Sequence, residues 1–137
     1  MKRSFALLFV LAAIPALSGT SAARPSSPTA SSITCRGAIS WQNARSAIGR
    51  VATIRGRVAG TRYASSSSGS PTFLNLGVNY PNPRRFTVVI WIENRGAFGR
   101  PEVRYRRKNI CVRGRVTSYR GVPEIEARSP SQIRVVR

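Results

Sequence analysis

The 137-residue chain has no histidine, and its only acidic residues are four glutamates, Glu93, Glu102, Glu124 and Glu126. Without histidine there is no imidazole to serve as a general base near neutral pH or to activate a serine or cysteine. The Ser-rich run 65–68 therefore has no partner that would make it nucleophilic. Without histidine or aspartate, the common zinc and magnesium ligand sets also fall away. Glu124 and Glu126 stand two apart on an expected strand and can share a face. Paired carboxylates can do acid–base or metal work, but exposed charges neutralised by neighbouring arginines are the plainer reading. The expectation is a non-enzyme with no catalytic residue, no metal site and no cofactor.

Long hydrophobic runs are missing too. Residues 5–14 (FALLFVLAAI) are unbroken and apolar, follow the basic start Met1-Lys2-Arg3, and end at Pro15. About 10 residues cannot cross a bilayer core that needs roughly 20, which disfavours a membrane anchor. The small, weakly polar residues 16–23 complete the pattern of a cleavable signal peptide, with cleavage expected after Ala23. No cysteine follows the apolar run closely, which argues against a lipid anchor. A periplasmic or secreted protein follows. Cysteine is scarce, with Cys35 and Cys111 alone. In an oxidising compartment they are expected to form a disulfide, two free thiols being the alternative. Such a bridge closes a loop of about 75 residues and stabilises on the order of 4 kcal/mol.

What the chain has in excess is positive charge: 23 lysines and arginines, net +19. Signal cleavage removes only Lys2 and Arg3, and apart from Lys2 and Lys108 every cation is arginine. A surface this positive repels itself and attracts polyanions: nucleic acid, anionic lipid head groups or acidic polysaccharide.

Residues 24–34 open with a Pro/Ser/Thr/Ala-rich stretch expected to be a linker, and 35–137 form one folded domain. Residues 40–48 are a helix candidate: Ser40 can cap it, Trp41, Ala44, Ala47 and Ile48 share a face, and Gly49 stops it. Residues 50–60 begin the β region, with Ala52, Ile54 and Val58 on one face and Arg55 and Arg57 on the other. Gly56 is expected to mark a bend. A polar loop, 61–71, carries Arg62 and Tyr63 and is expected to be flexible. The most patterned stretch is 72–92, two strands joined by a Pro-Asn-Pro turn. Leu74, Leu76, Val78 and Tyr80 are expected inside, as are Phe86, Val88, Ile90 and Ile92. Trp91 points outward and the turn carries Arg84 and Arg85. Residues 93–107 hold Gly96, Gly99 and Pro101, so a helix there is short or absent; Phe98 and Tyr105 can plug the barrel. In 108–119, Ile110, Val112 and Val116 go inward, and Arg113 and Arg115 go outward. Val112-Arg113-Gly114-Arg115-Val116 echoes Ile54-Arg55-Gly56-Arg57-Val58. The last strand, 124–136, is interrupted at Ser129-Pro130-Ser131, with Ile125, Ala127, Ile133 and Val135 apolar.

Several segments carry a family resemblance. They are Gly49-Arg50-Val51 with Gly56 and Val58, Phe73-Leu74-Asn75-Leu76-Gly77 with Tyr80-Pro81, and Phe86-Thr87-Val88-Val89-Ile90. They continue with Lys108-Asn109-Ile110-Cys111-Val112-Arg113-Gly114, Tyr119 with Gly121 and Pro123-Glu124-Ile125, and Pro130-Ser131-Gln132-Ile133. Together, over residues 35–136, they resemble the small exported bacterial OB-fold domains of the nucleic-acid-binding type, some of which accompany secreted nucleases. The resemblance implies an all-β, five-stranded OB-type Greek-key barrel with a short N-terminal helix. It brings no catalytic signature. OB-folds bind nucleic acid across the face around their second and third strands, combining cations with stacking rings. On that basis the candidate contacts are Arg55, Arg57, Arg62, Tyr63, Arg84, Arg85, Trp91, Arg113, Arg115, Tyr119 and Arg120. Tyr80 reads as core. Residues 104–108 form a second basic cluster. Single-stranded nucleic acid is the expected partner. An envelope protein that meets anionic lipid, lipopolysaccharide or an acidic protein is the alternative, and an accessory domain beside a separate enzyme is a third.

Overall fold

The computed structural model describes residues 33–137, together with Ala12, Ala13, Pro15, Ala16, Gly19 and residues 22–24. Apart from those isolated positions, the expected signal peptide and the linker up to residue 32 lie outside the described residues. Among the described residues no helix is long and apolar enough to cross a membrane.

Strand β1 (Ile39–Ser40) leads into a 3-10 helix (Trp41–Ala47), then β2 (Val51–Tyr63), β3 (Thr72–Leu76) and β4 (Phe86–Ile90). Two short helices, α1 (Ile92–Phe98) and α2 (Pro101–Arg104), connect to β5 (Asn109–Tyr119) and β6 (Val122–Glu126). A 3-10 turn (Pro130–Gln132) precedes β7 (Ile133–Val136). β2 pairs antiparallel with β3, β3 with β4, β4 runs parallel to β6, β6 pairs with β5, and β5 returns to β2. These pairings give partial, ring-like closure, and β1 on β2 and β7 on β5 bring the sheet to seven strands. The expected count of five is thus corrected to seven. One cause is the break at 129–131: Ser129 caps the Pro130–Gln132 turn, and the Gln132 side chain accepts from the Ser129 amide at 3.1 Å. The chain therefore leaves the β4–β6 edge and rejoins at β5.

Alternation specifies the interior. Ile54, Val58, Leu74, Leu76, Phe86, Val88, Ile90, Ile110, Val112, Val116 and Ile125 are fully buried, each worth roughly 1.5–3 kcal/mol by transfer. Phe98 and Tyr105 close the interior from the short helices, as the sequence led one to expect. Four inward assignments are corrected, the first being Val78, which is only partly buried and outside the core. Ile92 is an exposed residue opening α1, Val135 is exposed on the edge strand β7, and Tyr80 is exposed. For Tyr80 the cause is Gly77, whose φ of +82° turns the chain out of β3 and ends the alternation at Leu76.

The N-terminal helix is 3-10 rather than α, and Ser40 does not cap its backbone; the Ser40 hydroxyl donates to the Gln42 side chain at 2.7 Å. Its role is to hold Trp41 against the sheet. Gly56 is not a bend, because the β2–β5 register runs through it unbroken; the irregularity falls between Val58 and Gly60. Gly56 instead leaves space for Trp41, since a Cβ there would lie 2.9 Å from Trp41 Cδ1. At Gly77 the Trp41 ring fills the place a Cβ would take. Gly114 makes the same allowance for Ile125, at 2.7 Å. The Cys35–Cys111 disulfide ties the start of the domain to β5, with Cα atoms 5.8 Å apart and a separation of 76 positions in sequence. It is compatible with an oxidising, exported location.

Two alanine substitutions test this packing. Gly77→Ala combines a positive φ with a ring in the way and should cost about 3 kcal/mol in urea unfolding. Gly96→Ala enters open space inside α1 and should stabilise by roughly 0.5–1 kcal/mol. Equal effects would contradict the wedge role of Trp41.

Candidate functional site

Beyond the irregularity at Val58/Gly60, the second half of β2 pairs with β3 and turns a new row of side chains outward. Arg62 lies opposite Phe73, Asn75 opposite Thr87, Thr87 beside Glu124, and Glu124 opposite Thr117. Of these, Arg62, Phe73, Asn75, Thr87 and Glu124 floor a cleft of about 240 Å³. Its walls are Ala64 and Ser67 from loop 64–71, Tyr80 and Arg85 from loop 77–85, and Tyr119 and Val122 at the β5–β6 turn.

Two polar residues of the floor are nearly closed to water: Asn75 is 4% and Thr87 5% exposed. Both are satisfied internally, as buried polar groups must be. Thr87 Oγ1 donates to Asn75 Oδ1 at 3.3 Å, and Asn75 Nδ2 donates to Asn79 Oδ1 at 3.0 Å. The same Asn79 oxygen accepts from the Tyr80 amide at 2.9 Å, so the floor and the Tyr80 loop form one network. The rim is aromatic and exposed, Tyr80 at 65% and Tyr119 at 61%. The Arg85 guanidinium lies 5.1 Å from the Tyr80 ring centroid and Arg120 lies 5.4 Å from that of Tyr119.

Glu124 is the one carboxylate in the cleft. Burial pushes its pKa above the ordinary value, Glu126 adds to the rise, and Arg85 opposes it. The ion pairs among the described residues go to two other glutamates: Arg95 and Arg100 to Glu102, and Arg128 to Glu126. No group of three or more metal-ligating side chains is assembled among the described residues.

The expected contact residues separate into distinct places. Arg62, Arg85 and Tyr119 line the cleft. Arg84 is exposed in the neighbouring turn, its amide donating to Asn82 Oδ1 at 3.0 Å. Tyr63 does not join them; its ring stacks under Arg95 at 3.9 Å, and Arg95 is held by Glu102 at 2.8 Å. Trp91 lies just past the end of β4 and packs on Gly69, where a Cβ would lie 2.9 Å from its ring. The adjacent Ile92 amide donates to Gly69 O at 3.2 Å. The loop expected to be flexible is therefore pinned, and internal bonds such as Ser70 N to Ser67 O at 2.9 Å brace it further.

Arg55, Arg57, Arg113 and Arg115 do share an exposed outward face on the β2–β5 pair, as expected, joined by Arg134 opposite Cys111. None of them lines the cleft. Arg113 Nη1 donates to Thr53 Oγ1 at 3.3 Å, and Arg115 Nη1 to Gly49 O at 2.6 Å. Arg55 and Arg57 border a separate groove beside the disulfide and Trp41. The residues that sequence reasoning missed are Tyr80 and the floor, Asn75, Thr87 and Glu124. The outward alternation of the floor residues was legible, but Tyr80 read as core, and the β4–β6 pairing that gathers the floor left no sign in the sequence.

No protein-family model matches the sequence, and no curated protein matches it. Among solved structures the chain is similar to an asparaginyl-tRNA synthetase from Entamoeba histolytica, at 16% identity and a TM-score of 0.48 over 72% of this chain and 23% of that one. It is similar to a chain of the Stn1-Ten1 complex from S. pombe, at 19% identity and a TM-score of 0.46, covering 64% and 58% of the two chains. An OBody bound to hen egg-white lysozyme shares 17% identity at a TM-score of 0.46, covering 66% and 83%. The chain spans less than a quarter of the length of the synthetase it matches.

The raised Glu124 pKa has a defined sign in stability. The folded state holds this proton more tightly than the unfolded state, so stability falls as pH rises from the ordinary carboxylate range through the raised value. Glu124→Gln removes that loss. Its thermal midpoint should match the parent near about pH 4 and exceed it increasingly toward about pH 7. A midpoint difference independent of pH would contradict the burial of this carboxyl.

Proposed function

We propose that the protein is an exported, non-enzymatic OB-type barrel that binds single-stranded nucleic acid in the cleft between loops 64–71 and 77–85. The observation that carries this reading is the convergence of three rings, Phe73, Tyr80 and Tyr119, with two cations, Arg62 and Arg85, in one cleft. Rings accept the faces of unstacked bases and arginines neutralise the phosphates between them, the combination that single-strand binding requires. The strand order supports it, because β2, β3, β4, β5 and β6 follow the Greek-key ring of an OB-type barrel, whose ligand face lies on its second and third strands. In this chain those are β3 and β4. The remaining arginines raise the local concentration of polyanion and give binding a strong electrostatic component.

A second reading has its own observation. The exposed arginines on β2, β5 and β7 stand outside the cleft, on a strand face suited to an anionic lipid or lipopolysaccharide surface or an acidic protein. In this reading the cleft plays no part.

Fluorescence anisotropy with labelled single-stranded DNA and RNA, and with anionic vesicles as competitor, separates the two. Binding should weaken linearly in log–log against salt, and Arg62→Ala with Arg85→Ala should reduce the slope by about 1.4. Tyr80→Ala or Tyr119→Ala should each lose about fivefold or more in affinity. Undetectable oligonucleotide binding at low salt would overturn the proposal. Binding that ignores both tyrosines while vesicles displace the strand would favour the second reading.

A further inference from the structure

A carboxylate is a poor choice for the floor of a site that binds a polyanion. Glu124 is half-buried there among rings and arginines, in a chain with only four acidic residues. Phosphate repels it, and among the described residues no cation forms an ion pair with it. Arg85, the nearest opposing charge, directs Nη1 to Asn82 O at 2.9 Å instead. The carboxylate is thus a free, partly desolvated acceptor facing the place where a base would stack.

Resting on the reading of the cleft as a single-strand site, we infer that Glu124 makes it selective for guanine, accepting hydrogen bonds from the ring N1–H and the exocyclic 2-amino group. Guanine presents two adjacent donors on its Watson–Crick edge, which match the two oxygens of one carboxylate. Charge-assisted, bidentate bonds of this kind are the strong ones. Adenine and cytosine present one amino group beside a ring acceptor. Thymine and uracil present one N–H flanked by two carbonyls, which the carboxylate repels. Thr87, beside Glu124 in the sheet, gives its single hydroxyl proton to Asn75 Oδ1. It therefore offers only lone pairs toward a ligand. The floor around Glu124 is acceptor-rich, and a donor-rich base edge satisfies it. At about 240 Å³ the cleft is below the roughly 300–1,000 Å³ of drug-sized pockets, the scale of a single base.

The probes are an oligo(dT) of about ten nucleotides, the same strand with one central guanine, and the same strand with inosine there, which lacks the 2-amino donor. At fixed low salt the full exported chain should bind the guanine strand about tenfold more tightly than oligo(dT), with the inosine strand within about threefold of oligo(dT). Glu124→Gln should erase the guanine preference. If no strand binds, the proposed function itself fails. If all three bind alike, the nucleic-acid reading stands and the guanine inference fails. A guanine preference that survives Glu124→Gln, or an inosine strand that binds as tightly as the guanine strand, overturns the bidentate contact. The inosine comparison uses the unmodified protein, so it decides the point even where the variant does not fold.

Discussion

The thirteen residues of β2 belong to two pairings at once. Residues up to Arg57 run antiparallel to β5, and residues beyond the irregularity at Val58/Gly60 run antiparallel to β3. The ring closes because one strand serves both partners, and closure removes two edges that would otherwise present unpaired backbone groups. The change of partner also divides the surface. Arginines on the first half face out over β5 and β7, whereas Arg62 on the second half faces the cleft. Gly60 does more than relieve the backbone: the Asn79 amide occupies the space its missing side chain leaves. The amide that orients the cleft loop thus docks on the strand irregularity that closes the ring.

Charge is the second organising feature. Carboxylates are so few that their placement carries information. Glu102 holds Arg95 over the Tyr63 ring and braces the two short helices, and Glu126 pairs with Arg128 beside the Ser129 cap. Both act locally on architecture. Glu124 alone is set in a cleft without an ion pair, and burial raises its pKa there. The remaining positive surface is left uncompensated, which suits long-range attraction of a polyanion and costs stability in its absence.

Much of the fold was legible because it obeys local rules. Leu74, Leu76, Phe86, Val88 and Ile90 alternate with period two and are all buried. The prolines and glycines of 93–107 limited that segment to short helices, and the cysteine pairing followed from the expectation of an oxidising compartment. What failed did so where a local rule met a tertiary partner. The alternation carried Tyr80 into the core on paper, but Gly77 turns the chain at a positive φ to accept Trp41. Gly56 looked like a bend and is a seat for the same ring. Trp91 looked like a stacking platform and is the anchor of a serine loop. The arginines were visible as a set, but their division between two faces depends on where β2 changes partner. Glu124 joined the site through the parallel β4–β6 pairing, which links segments distant in sequence and leaves no periodic trace.

In the proposed function the cleft, rather than the arginine face, receives the single strand. Backbone amide shifts of the isotope-labelled protein, followed by NMR during titration with a short single-stranded oligonucleotide of mixed sequence, give the most direct test. The largest changes should fall at Phe73, Asn75, Tyr80, Thr87 and Tyr119, with smaller changes along β2 and β5. Changes confined to the residues around Arg55, Arg57, Arg113 and Arg115, with the cleft silent, would contradict it.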